Sequence, residues 1–411
     1  MILADSSFHG GLPFTTQGKQ VQPVPGSSRI AYLDWTRGLA CLLMFQSHCY
    51  DSWLGGAARD TVFFRWTRLA GTVPAPIFLF LAGVAVALVA DRALQKGTPP
   101  RQIARATMRR GAQIFALALL FRLQEFLLGQ PRAPWTDLLR VDVLNIIGAS
   151  LVLLGLLLAA ISWTLTSPSS SGSAGESQLA VRLRARTAVL AVLLAAAVAL
   201  AAPPLWTTHR PLWLPWYLES YVNGAHIFDQ PQAYLFPLFP WAAFAFAGLA
   251  AGCFLVPAWA RRRDFLAVGV TAAAGAALFA LGIWFDSRPR QLYAVYDFWH
   301  TSPNFFLMRI GMVTGLMLAG YAWCRWVPAL GGFSPVIELG RQSLLVYWVH
   351  IPLAYGGLSI LRKRAQDIPT ATAGVIALTL AMIALAAFRN RTKGRPFRAW
   401  ASWRSLASAS T

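Results

Sequence analysis

The chain has 411 residues, of which 56% are hydrophobic and only 13% are charged, and its mean hydropathy is +0.50. This composition excludes an ordinary soluble globule and indicates a membrane protein with several spans. The formal net charge is +20. The basic residues nevertheless sit in short loops between apolar segments and form no nucleic-acid-binding motif, so we expect no nucleic-acid partner.

Apolar segments long enough to cross a bilayer follow one another along the chain. We place them at 33–53, 69–90, 111–129, 141–165, 187–206, 234–256, 265–286, 303–325, 340–360 and 369–388. The sequence therefore predicts an all-α polytopic membrane protein with about ten transmembrane helices. When the loops are assigned alternately to two sides, Lys and Arg collect on the side of both termini, which predicts that both termini are cytoplasmic.

These segments divide the chain into a membrane domain and two tails. Residues 1–28 are polar and have no apolar run, so we predict a flexible cytoplasmic tail and no signal peptide. Residues 29–388 form the transmembrane domain, and 389–411 form a basic cytoplasmic tail. The Ser- and Gly-rich composition within 166–186 predicts a linker between a four-helix half and a six-helix half.

The first apolar segment carries a stripe of polar residues, Asp34, Arg37, His48 and Asp51. From Arg37 to His48 is eleven helical steps, a net rotation of about 20° and a rise of about 16 Å, so both lie on one face. Ionisable side chains are costly in hydrocarbon and usually face a polar cavity or a partner, so the stripe is a functional-site hypothesis. The alternative is that these residues only hold helices together.

The ninth apolar segment repeats this arrangement. Arg341 lies near its cytoplasmic start, and His350 follows nine residues later, about 14 Å deeper. We therefore predict that His48 and His350 lie at a similar depth, each with an arginine nearer the cytosol. Arg309 in the eighth segment and Asn145 at the start of the fourth are the other candidates. The pattern suits a donor molecule whose anionic head binds the arginines and whose reactive end reaches the imidazoles.

The third segment contains a further ionic pair. Arg122 and Glu125 lie one helical turn apart and are predicted to pair with each other. The four cysteines make no metal-ligand spacing and no disulfide framework, so we expect no metal site.

Several sequence blocks resemble a known enzyme family. RIAYLDWTRGLACLLMFQSHCYDSW, PAPIFLFLAGVAVAL, RVDVLNIIGASLVLLG and YLFPLFPWAAFAFAGLAAG are similar to the heparan-α-glucosaminide N-acetyltransferase catalytic-domain family, especially its bacterial members. LGRQSLLVYWVHIPL resembles a block of the wider transmembrane acyltransferases, and the Arg37 to His48 spacing is similar to that of the acyltransferase-3 family.

The resemblance implies an enzyme that moves an acyl group, often acetyl, from cytosolic acyl-CoA to a glycan hydroxyl or amine across the membrane. A bacterial inner membrane is implied as its location. His48 would be the catalytic base or the acyl carrier, and Arg37 with Asp34 would bind the CoA phosphates or hold the helix. One departure is that the position around Val62 has no histidine, which moves the chain towards the O-acylating relatives.

The remaining candidates receive roles in the direct-transfer mechanism that we prefer over an acyl-histidine intermediate. Asp51, or a partner from another helix, would hold His48 while it deprotonates the acceptor. His350 or Asn145 would polarise the thioester carbonyl. Arg341 and Arg309 complete the expected set of residues that bind acyl-CoA.

Other classes of function remain open at this stage. Buried Arg, Asp and His also suit a proton-coupled transporter or flippase for a glycolipid or an acidic solute. A structural subunit of an envelope-polymer assembly is a third reading. Expected partners are acyl-CoA, a sugar or glycolipid acceptor and membrane lipid, and a homodimer is left open.

Overall fold

A computed structural model of the protein describes residues 30–165, 176–224, 236–261, 263–290, 292–294, 297–327 and 333–392. Within these ranges the chain is largely helical, and the described residues from Ala31 onward belong to one compact unit. The predicted tail 1–28 lies outside the described residues, as does 393–411 of the second predicted tail. Residues 389–392 of that tail are helical.

Fourteen α-helices and one 3₁₀ helix are described in these ranges, and the 3₁₀ helix covers Trp135–Leu139. The helices are α1 (Ala31–Trp53), α2 (Gly56–Arg59), α3 (Val62–Gly71), α4 (Pro74–Gln95), α5 (Pro100–Gly129), α6 (Val143–Leu165), α7 (Glu176–Trp206), α8 (Trp216–Asn223), α9 (Leu238–Ala260), α10 (Asp264–Asp286), α11 (Pro303–Trp326), α12 (Pro335–Arg341), α13 (Ser343–Ala354) and α14 (Ile368–Thr392).

Eight helical segments of the described chain are long and apolar enough to cross a membrane. They are Val62–Gln95, Pro100–Gly129, Trp135–Thr164, Gln178–Trp206, Leu238–Ala260, Asp264–Asp286, Pro303–Trp326 and Ile368–Thr392. The expectation of an all-α polytopic membrane protein is confirmed. The count of ten stays a prediction, because the other two predicted segments are the polar helix α1 and the broken pair α12 and α13.

The predicted linker at 166–186 is only partly described. Residues 166–175 lie outside the described chain, and 176–186 form the beginning of α7 instead of a linker. The correction has a local cause, since the run from Leu179 to Arg186 has no proline or glycine and consists largely of good helix formers.

Helix α1 is surrounded by other helices, which explains how it carries charged residues. It packs against α3, α4, α11, α12, α13 and α14. Its large side chains Phe45 and Trp53 are fully buried in this cluster. Because protein surrounds α1, its polar side chains face side chains of other helices. Pairing with these offsets the cost of removing the polar groups from water. The polar stripe faces α12 and α13.

The ninth predicted segment is a broken helix, with Gln342 at the junction of α12 and α13. The backbone of Gln342 has φ −116° and ψ 23°, which ends one helix and begins the next. Its side-chain amide donates a hydrogen bond to Asn390 of α14. Irregular backbone at membrane depth is tolerated where protein surrounds it. The break sets the direction of α13, the helix that carries His350.

Helices α1, α9, α10 and α11 each have one end at the same end of the bundle. We call it the basic end, because Arg261 and Arg263, between α9 and α10, lie there. The Tyr32 hydroxyl at the start of α1 accepts a hydrogen bond of 2.9 Å from the Trp259 indole of α9. The Tyr32 ring lies 5.4 Å from that of Tyr321 on α11, and Phe265 of α10 contacts Tyr321 as well. The starts of α1 and α10 therefore lie beside the ends of α9 and α11.

Candidate active site

Two histidines from distant parts of the sequence meet inside the helix bundle. Nδ1 of His48 on α1 lies 2.9 Å from Nε2 of His350 on α13, and the two ring planes differ by 6°. His350 is fully buried, whereas His48 is partly exposed. The prediction that they share a depth is confirmed by this contact. His48 is the more exposed member of the pair.

The hydrogen bonds of the pair define where the protons lie. Nδ1 of His350 is 2.9 Å from the carbonyl oxygen of Val346, which can only accept, so His350 carries its proton on Nδ1. Nε2 of neutral His350 is then an acceptor, and Nδ1–H of His48 donates to it. Neutral His48 is left with an unprotonated Nε2, which has no hydrogen-bond partner among the described residues.

Three residues beside His48 are bonded to one another, and we call them the outer clamp: Asp51, Arg59 and Tyr355. The Tyr355 hydroxyl donates a hydrogen bond of 2.9 Å to Asp51, and the Arg59 guanidinium donates one of 2.9 Å to the other oxygen of that carboxylate. Arg59 also donates to the Asp51 backbone carbonyl. The ring centres of Tyr355 and His48 are 5.3 Å apart. Of the three clamp residues, Tyr355 is the one whose ring is in contact with His48.

A second set of the same three residue types, the inner clamp, adjoins His350. The Tyr347 hydroxyl donates a hydrogen bond of 2.7 Å to Asp142, and Arg122 forms a salt bridge of 2.6 Å with the other carboxylate oxygen. The ring centres of Tyr347 and His350 are 5.7 Å apart. Arg122 therefore pairs with Asp142, and the predicted pair with Glu125 is wrong, because Asp142, which directly precedes α6, lies closer.

The structure shows the hydrogen bonds of three further predicted site residues, Asp51, Asn145 and His350. Asp51 bonds to Arg59 and Tyr355. His48 bonds instead to His350, which is the second alternative of the prediction, a partner from another helix. Asn145 accepts from the backbone N–H of Asp142 and donates to the Tyr221 hydroxyl, so its amide anchors the inner clamp. His350 has both ring nitrogens engaged. His350 therefore has no spare N–H for a thioester carbonyl, whereas the Asn145 amide keeps a second N–H.

Three further predicted residues come together at the basic end. Arg37 donates a hydrogen bond of 3.1 Å to Asp34, and the Arg341 guanidinium lies 3.9 Å from the second oxygen of the same carboxylate. Arg341 also forms a salt bridge of 3.0 Å with Glu338. The arginine side chains are 26% and 37% exposed, respectively, while Asp34 is buried. The structure thus joins the two predicted segments at this end as well.

Arg309 does not join this cluster. It lies two turns into α11, near the opposite end of that helix from Tyr321 and Arg325. Its guanidinium donates a hydrogen bond of 2.9 Å to the carbonyl oxygen of Trp299 and stacks over Phe305 at 4.0 Å. Its expected role with Arg37 is corrected, because the direction of α11 places Arg309 far from the basic end.

The sequence reading missed Arg59 and Tyr355 as site residues. Arg59 lies on the short helix α2 after α1 ends, where a lone arginine has the pattern of an ordinary loop residue. Tyr355 follows the last residue of α13. The only available signal was proximity in sequence, since Tyr355 lies five residues after His350 and Arg59 eight after Asp51.

Comparison with known proteins identifies a family over the first part of the chain. Residues 29–171 match the family model described as heparan-alpha-glucosaminide N-acetyltransferase, catalytic. This range runs from α1 to α6 and includes His48, both aspartates of the clamps and both arginines of the clamps. No match was found among curated proteins. The family match confirms the resemblance to an acetyltransferase family. The long apolar helices show a multi-pass membrane protein.

Proposed function

We propose that the protein transfers an acyl group, most simply acetyl, from cytosolic acyl-CoA to a glycan hydroxyl or amine on the far side of the membrane. His48 is the general base. The proposal places the protein in a bacterial inner membrane with the basic end towards the cytosol, as the bias of Lys and Arg favours. It rests on the family match together with the geometry of the histidine pair.

The single observation that carries the proposal is the hydrogen-bond chain from Val346 through His350 to His48. It holds the His48 ring and leaves its Nε2 lone pair free in the partly exposed half of the pair. A positioned imidazole with a defined tautomer is the commonest general base in enzymes. His350 acts through His48 in this scheme and is therefore a positioning residue.

The proposed reaction needs no reactant other than acyl-CoA and the acceptor. The acceptor oxygen or nitrogen attacks the thioester carbonyl carbon while its proton moves to Nε2 of His48. The carbon–sulfur bond then breaks, and the CoA sulfur leaves with the proton returned from His48. Between these steps the imidazolium keeps its Nδ1–H bond to His350, and Asp51 and Asp142 are the carboxylates whose charges act on it.

The cluster of Asp34, Arg37 and Arg341 is the proposed site for the CoA phosphates. It lies about 16 Å from His48 along α1, measured from Arg37, so an extended donor can span the two. Both arginines are partly exposed, and a guanidinium has five N–H donors, of which Arg37 uses one for its bond to Asp34. Asp34 orients the two arginines in this arrangement.

Replacement of Arg37 by alanine tests the donor site. Loss of a charge-assisted hydrogen bond to phosphate costs about 1.5–3 kcal/mol, so we expect the KM for acyl-CoA to rise roughly 10- to 100-fold. The kcat should change much less, because Arg37 is remote from the reacting atoms. Arg37→Lys should recover part of the affinity. An unchanged KM in Arg37→Ala would assign Arg37 to packing of α1 alone.

An assay in sealed vesicles separates the enzyme from a transporter. Purified protein is reconstituted with acyl-labelled CoA outside, on the side of the basic end, and a glycan acceptor inside. We expect label on the acceptor together with release of free CoA. Movement of an unmodified solute with no loss of label from CoA would support transport and contradict the proposal. Labelled protein formed without acceptor would indicate the acyl-histidine route.

A further inference from the structure

A cleft opens between α9 and α10 at the basic end of the bundle, and neither the histidine site nor the donor site uses it. Its volume is about 340 Å³, within the range of small-ligand clefts of ~300–1,000 Å³. Helix α10 packs mainly along α11 and only lightly against α9, so these two helices leave a gap. Small residues form part of the lining and large apolar ones the rest, including Cys253, Phe254, Ala258, Leu266, Ala267 and Val270.

Two arginines stand at the mouth of this cleft. Arg261 and Arg263 line it and are both exposed. Within the described chain, neither guanidinium forms a hydrogen bond or an ion pair, and no acidic residue lines the cleft. Both guanidinium groups are thus available to an anion with all their N–H donors.

The position of the cleft decides what kind of anion fits it. Leu266 and Val270 on its wall are 61% and 45% exposed, and α10 as a whole is largely exposed, as expected of a helix that faces lipid. A second cleft beside the first shares Arg263 and Leu266 and adds Arg325, Tyr321 and Trp326. Aromatic residues beside arginines are typical of the headgroup level of a bilayer. The second cleft also contains Asp264, which opposes an anion there.

We infer that the α9–α10 cleft binds an anionic phospholipid. The headgroup phosphate lies between Arg261 and Arg263, and an acyl chain runs along Leu266 and Val270 towards the bundle centre. Basic pockets between transmembrane helices on the cytoplasmic side are the usual sites for such headgroups. A free phosphate would account for the arginines but not for the apolar walls. The inference is independent of the proposed acyl transfer.

The test compares lipids on the delipidated, purified full-length protein. Phosphatidylglycerol is titrated into the wild-type protein and into the Arg261→Gln/Arg263→Gln double variant. Phosphatidylcholine serves as the neutral lipid. The Tm is measured, because a bound ligand stabilises the folded protein. Arg65→Gln/Arg68→Gln is the matched control, because it removes the same charge from exposed positions on α3. We expect at least roughly tenfold weaker phosphatidylglycerol binding in the first double variant only.

Two further measurements test whether the lipid binds in the cleft itself. Ala258→Phe fills the cleft without a change in charge, and it should weaken binding of phosphatidylglycerol while the Tm in phosphatidylcholine shows that the fold persists. Inorganic phosphate should not compete at millimolar concentration. The inference is overturned by equal responses to the two lipids, by full competition from inorganic phosphate, or by wild-type binding in both the double variant and Ala258→Phe.

Discussion

His48→Ala should lower the rate of acyl transfer by about 10²–10⁴, the range for loss of a general base. The reason is that Nε2 of His48 is the open end of the histidine chain, and alanine leaves nothing to accept the proton of the acceptor. The rate of label transfer from acyl-CoA to a glycan in vesicles is the measurement. His300→Ala is the matched control, because the His300 ring is exposed and is hydrogen-bonded to Asp297, three residues away.

Variants of His350 distinguish a positioning role from simple packing. His350→Ala removes the acceptor for Nδ1–H of His48, so the rate should fall roughly 10- to 100-fold. His350→Gln places an amide oxygen near the position of Nε2 and should recover part of the loss. A merely structural role predicts no such difference between two variants of equal Tm. Wild-type transfer by folded His48→Ala would remove His48 from the reaction altogether.

Gly340→Ala should be strongly destabilising, by at least about 3 kcal/mol, the upper part of the range for overpacking. A Cβ built on Gly340 would lie 1.8 Å from the backbone oxygen of Asp34, and one built on Gly38 would lie 1.8 Å from that of Val336. Since backbone lies on both sides of the contact, a side-chain rotation cannot relieve it. Helices α1 and α12 would have to separate.

The measurement is the Tm of purified protein in detergent, together with the yield of folded material. Gly315→Ala is the matched control, since it lies inside α11 with no atom within 4 Å of its built Cβ. This control should keep or slightly raise the Tm, because alanine favours a helix over glycine by ~1 kcal/mol. Equal Tm values for the two variants would show that α1 and α12 do not pack as closely as described.

Helix periodicity alone was enough to find the polar stripe of α1. The rotation per residue is fixed, so Arg37 and His48 fall on one face wherever the helix lies. The same reasoning on the ninth segment placed His350 at the depth of His48, and the 2.9 Å contact confirms it. Depth follows from counting residues along a spanning helix, which needs no knowledge of its neighbours.

The partners of these residues did not follow from counting. Glu125 is one turn from Arg122, but Asp142, just before α6, lies at 2.6 Å and forms the salt bridge. Asp51 lies one turn from His48 and bonds instead to Arg59 and Tyr355. Contacts between helices depend on rotation, tilt and separation, which side chains from the whole bundle decide together.

The sequence by itself determined that this is an all-α membrane protein, which face of α1 is polar, and which family the first part of the chain resembles, because apolar length, helical period and short motifs are local properties. Only the tertiary structure decided that His350 holds His48, that two clamps flank the pair, and that Arg309 is remote from the basic end. The break at Gln342 illustrates the physical reason, since its side chain bonds to Asn390 of α14, a contact between residues far apart in the sequence.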